Sequence, residues 1–473
     1  MAAMIARAQT AQSAGSAGAV KPQVEKTPHY SICVLPFVNM SGDAEQEYFS
    51  DGITEDIITD LSKLSALEVV SRNDSFLYKG KQIEVLKVAR EVKVTHVLEG
   101  SVRRAGGRLR ITAQLIDGAG GKHIWAERYD RDASDIFAIQ DEISQAIVKA
   151  LRLRLLPEEK KAIERRGTDS AEAHDLYLMA RQMYVSGQEH DEHAAQAIIR
   201  MCTGATEIDP KYAQAWALMA IGYRSLRALG MGSDSGMAAV ERALAIDPDL
   251  AEAHAVKAYI LIQDGDTDAA ESEAAVALKL DPESYEANRT AARVNYQLHH
   301  FEDAIRFYEK AAGLMETDIN SAATLMSCYT AVGDVASARA AAEVTLKRAE
   351  SILGRDQNNS GVLAYSAYGF MALGEGDRAK ARMRRALMID PDNSNMRYNF
   401  ACLLVVFMNE KDAALNMLKP VFASITGSRL QYAKVDPDFA LLRDDPRFKA
   451  MVLAAEARLA VAKSAVPATV AGG

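Results

Sequence analysis

The first residues able to do chemistry are carboxylates. Asp51, Glu55, Asp56 and Asp60 recur close to one predicted helix start. Clustered carboxylate oxygens are the ligands that divalent cations such as Mg²⁺ and Ca²⁺ take in proteins. Carboxylates at a helix start also stabilise the helix through its dipole, by about 0.3–1 kcal/mol each. We interpret the cluster as structural and predict no metal site from it.

Two further patterns each lack a part that a working site needs. His190 and His193 are spaced by about one helical turn, as in zinc sites, but no third ligand lies near them in sequence. The glycine-rich segments 106–107 and 118–121 join strand to strand, whereas a phosphate cradle needs a strand, a glycine loop and a helix N-terminus. No serine or cysteine has a recognisable His/Asp companion. We therefore predict no catalytic residue, no cofactor and no enzymatic activity.

A pair of arginines is the remaining candidate. Arg289 and Arg293 lie one helical turn apart, with Tyr296 beside them. Guanidinium groups hold carboxylates through paired hydrogen bonds, and such a pair also suits an extended peptide. The alternative is an ordinary solvated helix face. Which of these two interpretations holds depends on the helices and strands that position the arginine side chains.

Composition narrows the classes of protein and partner. The 473 residues exceed one ordinary domain, and 49% hydrophobic with 25% charged residues is typical of a soluble globular protein. A net charge of −9 argues against a nucleic-acid or anionic-membrane surface, because both need clustered positive charge. No apolar run approaches the roughly 18 residues of a membrane span. The four cysteines lie far apart, which favours buried thiols in a reducing compartment, so we expect a cytoplasmic location.

Residues 30–156 alternate between strand and helix patterns. Apolar runs and alternation predict strands at 32–37, 67–70, 95–103, 108–117 and 123–129. Apolar spacing predicts helices at 52–64, with Asp51 as the N-cap, at 85–92 and at 134–155. The order β-α-β-α-β-β-β-α indicates one mixed sheet with helices packed on it. Trp125 and Tyr129 either mark an edge strand that accepts a partner strand or fill the helix–sheet core.

An aliphatic residue followed by Asp and Pro occurs four times beyond this region. The tripeptides end at Pro210, Pro248, Pro282 and Pro391, with separations of 38, 34 and 109 residues. A period of about 34 residues indicates stacked helix pairs. Proline ends a helix because it lacks the amide N–H and its ring clashes with the preceding turn, at a cost of about 3 kcal/mol or more. Each Asp-Pro therefore marks the end of one helix and the turn into the next.

These units resemble the tetratricopeptide repeat. Ala213-Gln214-Ala215-Trp216 with Tyr223 carries the aromatic signature of that family, and about six or seven units fit between residues 174 and 424. In this family the first helices of the units line a concave surface that binds proteins or peptides. Carried onto this sequence, the groove residues are Tyr259, Gln263, Glu286, Arg289, Arg293, Tyr296, Gln297, Tyr368 and Tyr398. The carboxylate clamp of chaperone-binding repeats is not expected, because Val256, Thr290 and Thr324 occupy its asparagine position.

The amino-terminal region resembles the TolB amino-terminal-like domain of bacterial proteins. The resemblance spans about residues 30–156 and rests on motifs at 34–37, 39–43, 48–52, 98–102, 110–115 and 125–130. It implies a protein-interaction or sensory module without catalytic activity, in proteins that continue into tetratricopeptide repeats. Such proteins often carry a class III adenylate cyclase or winged-helix DNA-binding domain upstream. The residues before Ser31 are too few for either, so we expect both to be absent.

Together these patterns predict an α+β protein of two domains, a mixed-sheet α/β domain followed by an all-α tetratricopeptide superhelix. The predicted boundaries are a disordered lead at 1–29, the TolB-like domain at 30–156, a linker at 157–171, the repeat array at 172–425 and a C-terminal cap and tail at 426–473. The predicted function is a non-enzymatic scaffold that binds a protein or peptide in the groove. One alternative is the regulatory portion of a class III adenylate cyclase system that lacks the catalytic domain. Another is a cell-envelope factor like TolB, against which the missing signal peptide counts.

Overall fold

The amino-terminal region forms one mixed sheet. The computed structural model describes residues 30–464 except 82–83, 154, 157–158, 160–166, 187–191, 230, 233, 316 and 355. The strands are β1 (Tyr30–Val34), β2 (Val38–Asn39), β3 (Leu67–Val69), β4 (His96–Ala105), β5 (Arg108–Asp117) and β6 (His123–Asp132). Their order is β3-β1-β4-β5-β6, and β2 pairs with β4. Strand β1 is parallel to β3 and β4, whereas β4, β5 and β6 are antiparallel, so the predicted mixed sheet is confirmed.

Helices pack on both faces of this sheet. They are α1 (Glu47–Ser62), α2 (Arg72–Phe76), α3 (Val85–Glu91) and α4 (Ile136–Ala150). Helices α1 and α4 share a core with one face, where Ile53, Ile111 and Ile143 are fully buried. Helix α3 packs on the opposite face, with Val88 against Cys33. Alternating burial along β5 matches the predicted period of two.

Two predicted helix boundaries are wrong. Helix α1 begins at Glu47 rather than at residue 52, because a 3-10 turn at Ala44–Gln46 already starts the helical path. Asp51 therefore lies inside α1 at 4% exposure, and its carboxylate accepts a hydrogen bond from Lys79 instead of capping the helix. Helix α4 ends at Ala150 rather than at 155, because the chain turns at Arg152, where φ is +54°.

The carboxyl-terminal region is an array of helix pairs, which confirms the predicted fold class. Its pairs are α5 (Ala171–Val185) with α6 (Glu192–Ile208), α7 (Ala213–Leu229) with α8 (Met237–Ile246), α9 (Ala251–Asp264) with α10 (Thr267–Leu280), α11 (Tyr285–Gln297) with α12 (Phe301–Leu314), α13 (Ile319–Ala331) with α14 (Val335–Leu353), α15 (Ser360–Ala372) with α16 (Gly376–Ile389), and α17 (Ser394–Met408) with α18 (Lys411–Ser424). Helices α19 (Gly427–Val435) and α20 (Pro446–Ser464) end the array, with a 3-10 turn at Pro437–Phe439 between them. Within the described residues, no helix is both long and apolar enough to cross a bilayer.

The Asp-Pro tripeptides end helices as predicted. Helices α6, α8, α10 and α16 each stop at the aliphatic residue before the aspartate. The 109-residue separation spans two pairs whose second helices, α12 and α14, end without this motif. Helix α14 also has 19 residues where α12 has 14, which makes the spacing irregular. The predicted lead at 1–29, His190, most of the predicted linker and the tail from 465 lie outside the described residues.

Helix α5 of the array packs directly on α1 of the sheet region. Gly52 permits this contact, because a Cβ at that position would lie 2.5 Å from Cδ1 of Leu178. Beside it, Asp175 of α5 accepts hydrogen bonds from the Tyr48 hydroxyl and from Nη1 of Arg104, both at 2.9 Å. The two regions are therefore joined by close helix packing and by charge-assisted hydrogen bonds.

An ion-pair network extends this contact into the array. Nη2 of Arg181 on α5 lies 3.3 Å from Oε1 of Glu55 on α1, and its Nη1 lies 2.6 Å from Oε1 of Glu252 on α9. Burial opposes ionisation of Glu55, but the guanidinium groups of Arg72 and Arg181 outweigh it and lower the pKa of that carboxyl. One arginine therefore links the sheet region to the first and third helix pairs.

Gly52→Ala is expected to lower the melting temperature, because the new Cβ clashes with Leu178. Overpacking of this kind typically costs about 1–3 kcal/mol. In a Leu178→Ala background the clash is removed, so the same substitution should cost less. Scanning calorimetry measures both effects. Gly313→Ala is the control, since a Cβ there meets open space and alanine should be neutral or stabilising. Equal losses in the two Gly52→Ala backgrounds would contradict the packing argument.

Candidate functional site

The first helices of six consecutive pairs line one cavity. Its volume is about 160 Å³. Helices α7, α9, α11, α13, α15 and α17 all contribute to it. The polar and aromatic lining residues are Arg224, Ser225, Tyr259, Arg289, Asn320, Tyr365, Tyr368, Asn393, Asn395, Asn399 and Phe400. The cavity therefore lies on the concave side of the array, which the first helices form.

Helices that are far apart in sequence meet at this cavity. The side-chain amide of Asn395 on α17 donates to the backbone carbonyl of Ala228 on α7, at 2.6 Å. The other end of the Asn395 amide accepts a hydrogen bond from Arg429 of α19. The second and seventh helix pairs are thus in contact across the concave side. The curvature of the array brings the site together.

The lining combines amides, guanidinium groups and aromatic rings. Asn320 donates to the hydroxyl of Tyr365, and Cζ of Arg224 lies 4.7 Å from the ring centroid of Tyr259. Asn399 is exposed. Amides offer both donors and acceptors, and aromatic rings offer flat apolar surface. Such a surface suits a peptide, which has polar backbone groups and apolar side chains.

A buried carboxylate connects the helices around this cavity. Glu286 on α11 is 2% exposed, and its Oε2 accepts a hydrogen bond from Nη1 of Arg224 at 2.8 Å. Its Oε1 accepts a hydrogen bond from the hydroxyl of Tyr184 on α5 and lies 3.6 Å from Nη1 of Arg289. Burial raises the pKa of Glu286, and the guanidinium groups of Arg289 and Arg181 offset part of that shift. One carboxylate thus joins the first, second and fourth helix pairs.

Three of the nine predicted groove residues line the cavity, namely Tyr259, Arg289 and Tyr368. Glu286 lies in the ionic network instead. Cζ of Arg293 lies 5.8 Å from the ring centroid of Tyr259, and its Nε has no hydrogen-bond partner within the described residues. Arg289 and Arg293 therefore do not form an open arginine pair on a helix surface, because both pack against other side chains.

The remaining predicted residues lie away from the cavity lining. Gln263 and Tyr296 are half-buried, and Gln297 is exposed at the end of α11. Tyr398 is 4% exposed, and its hydroxyl donates to Oδ2 of Asp436 at 2.5 Å. The structure places Tyr398 in the core between α17 and the C-terminal cap. The repeat pattern places Tyr398 on a first helix and so predicts a groove residue, but that pattern does not include the C-terminal cap that covers it.

Sequence reasoning missed most of the lining residues. Arg224, Asn320 and Tyr365 lie on first helices but were not assigned to the groove, and neither were Asn395 and Asn399. The clustering of asparagines after the last Asp-Pro tripeptide is a signal in the sequence. Their convergence with Arg224 depends on the curvature of the array, and no local sequence pattern predicts that curvature.

The acidic residues of α1 are paired with basic neighbours. Asp60 lies 2.8 Å from Nζ of Lys63, and Asp56 lies 3.1 Å from Nε2 of His174 on α5. Glu55 and Asp51 have the arginine and lysine partners given above. Across the described part of the chain, no group of three or more His, Cys, Asp or Glu side chains is arranged to hold a metal ion. These carboxylates instead take part in contacts of α1, in part with α5.

Burial also determines the state of two thiols. It raises the pKa of Cys33 to about 11 and that of Cys328 to about 12. Both side chains are fully buried. Because the thiolate is the nucleophile in cysteine chemistry, neither residue is ready to react at neutral pH.

Comparison with known proteins gives partial matches. A family model described as the second domain of HilA/YgeH-like transcriptional regulators matches residues 28–148. A protein of Rhizobium meliloti (strain 1021) named "Putative adenylate cyclase 3" is 54% identical over 200 residues, which make up 42% of this chain and 33% of that protein. The chain thus spans about a third of the length of this relative. The family match carries a different description from TolB, so the TolB-like interpretation is not confirmed and stays a prediction.

Solved structures resemble parts of the chain. The human IFIT1 dimer with m7Gppp-AAAA is 15% identical, with a TM-score of 0.41 over 70% of this chain and 86% of that chain. A protein described as a thermophilic TPR protein of Thermus thermophilus is 21% identical, with a TM-score of 0.32 over 43% of this chain and 99% of that chain.

Glu286→Ala is expected to destabilise the array by about 3–5 kcal/mol, because Arg224 loses its buried acceptor. Glu286→Gln keeps an acceptor oxygen and should cost less. Scanning calorimetry gives the shifts in melting temperature. Glu283→Ala is the matched control, since its side chain is 70% exposed and pairs with Lys310 at the surface, where an ion pair contributes about 0–1 kcal/mol. Similar small shifts for Glu286→Ala and Glu283→Ala would refute the structural role of Glu286.

Proposed function

We propose that this chain is a non-enzymatic scaffold that binds a protein or peptide segment in the concave cavity of its helical array. The observation that carries the proposal is the convergence of first helices from six consecutive pairs on one cavity. A segment bound there contacts many units at once. Stacked repeats commonly use their concave surface in this way.

The cavity residues suit a peptide in extended form. Asn399 offers an exposed amide group to backbone N–H and C=O groups, and Tyr368 offers apolar surface to side chains. Arg289 also lines the cavity, but its guanidinium lies 3.6 Å from the buried carboxylate of Glu286, which balances its charge within the chain. We further propose that the sheet region is a TolB-like docking or sensory module, supported by its sequence motifs and by its contacts with α5.

Peptides selected from a displayed random library against the full chain should bind more weakly to Asn399→Ala. A lost hydrogen bond of about 0.5–1.5 kcal/mol corresponds to a roughly 2- to 12-fold higher Kd, measured by fluorescence anisotropy. Gln297→Ala is the matched control, because it also removes an exposed side-chain amide but lies outside the cavity lining. Unchanged binding to both Asn399→Ala and Tyr368→Ala would show that the peptides bind outside the cavity.

A second candidate function is the regulatory portion of a class III adenylate cyclase system. Its support is the 54% identity over 200 residues with a protein named as a putative adenylate cyclase. In this proposal the chain acts on a catalytic region that belongs to another polypeptide or to a longer form of the protein.

Cyclic AMP formation discriminates between these proposals. The purified chain with ATP and Mg²⁺ should form no cyclic AMP, and synthesis by this chain alone would overturn the non-enzymatic proposal. Added to the purified catalytic region of the Rhizobium meliloti relative, the chain should change the rate if it is regulatory. An unchanged rate at saturating chain would remove the second candidate and leave the scaffold.

A further inference from the structure

Strand β6 forms a long edge of the sheet. It has ten residues, contains no proline and pairs with β5 on one side only among the described strands. The register shift in this pair lies between Leu115 and Ile116, so pairing is regular from Trp125 to Asp132. In an antiparallel strand, alternate residues point their N–H and C=O groups away from the neighbour. The outer edge of β6 therefore presents a row of backbone donors and acceptors.

The edge of β6 is protected by charge rather than by proline. Natural proteins place charged side chains, especially lysine, as well as proline and bulges along exposed edges to prevent unspecific pairing with another chain. Within 124–132 the charged residues alternate in sign along the strand. Glu127, Arg128, Asp130 and Asp132 are exposed, and Arg131 is half-buried. A strand of this composition is compatible with pairing, provided that the partner carries the complementary order of charges.

The strand is complementary to itself in one register. An antiparallel ladder pairs outward-pointing residues with one another, so a two-fold axis must fall on a residue of the strand. An axis at Glu127, Arg128, Asp130 or Arg131 places like charges opposite each other. An axis at Tyr129 instead places Glu127 opposite Arg131 and Arg128 opposite Asp130. By symmetry each favourable pair occurs twice.

The side chains around this axis already have partners within their own chain. Tyr129 is buried and belongs to the core between the sheet, α1 and α4, so the axis residue contributes backbone only. Asp130 is already bound by Arg108 and Arg110, and Arg131 by Glu142 of α4, at distances of 2.5–2.9 Å. These exposed ion pairs are weak and still accept a further partner from the other copy.

We propose that two copies of this chain associate through their β6 strands, antiparallel and centred on Tyr129, to form one continuous sheet. The occupant of the β6 edge is thus a second copy of the same chain. The β6 edge and the cavity share no residue, so they are two distinct sites.

Sedimentation equilibrium on charge variants of the full chain tests this register. The unmodified chain should be dimeric. Glu127→Arg alone and Arg131→Glu alone each place like charges opposite each other twice, so each should associate at least about tenfold more weakly. An equimolar mixture of the two variants should form heterodimers, because both charge pairs are then restored. A misfolded variant cannot produce this rescue.

Lys87→Glu is the control, since it matches the charge change of Arg131→Glu at an exposed site on α3. It should leave the dimer intact. A monomeric unmodified chain would overturn the proposal. So would dimers that persist in both single variants, because the contact would then lie elsewhere. Single variants that weaken association without rescue in the mixture would reject the Tyr129-centred register.

Discussion

A carboxylate at 2% exposure must be paired, because an isolated buried charge costs several kcal/mol. Glu286 meets this requirement with groups from other helix pairs, Tyr184 on α5 and Arg224 on α7. Neighbouring pairs also share ion pairs, such as Arg227 with Asp264, but this carboxylate joins the first, second and fourth pairs. We infer that these contacts set the curvature of the array. The cavity exists because the curvature brings α7 and α17 into contact.

Helix α5 couples the sheet region to the same network. Its Arg181 binds Glu55 of the sheet region and Glu252 of the third helix pair, one turn before Tyr184 reaches Glu286. The close approach at Gly52 fixes the distance between α5 and α1. The position of the sheet region and the curvature of the array therefore depend on one helix. This arrangement gives a docking or sensory role of the sheet region a physical route to the cavity.

Sequence patterns correctly predicted those features that depend on only a few neighbouring residues. The Asp-Pro tripeptides predicted helix ends correctly, since the constraint of proline acts within a few residues. The predicted N-cap role of Asp51 is wrong, because a 3-10 turn starts the helical path before this residue. Its carboxylate instead accepts a hydrogen bond from Lys79, which is distant in sequence. The cavity was predicted only in part. Tyr259 follows from its place in the repeat, whereas Asn395 joins the site through a contact with Ala228, 167 residues away in sequence.

The central claim is that buried Glu286 sets the curvature that forms the cavity. Double electron–electron resonance tests it most directly. It measures the distance between spin labels at Ala228→Cys and Asn399→Cys, in a chain with Cys402 replaced. These positions lie on α7 and α17, which meet across the concave side. The account predicts a short, narrow distance distribution in the parent protein and a longer, broader one in Glu286→Ala. The same distribution in a folded Glu286→Ala variant would contradict it.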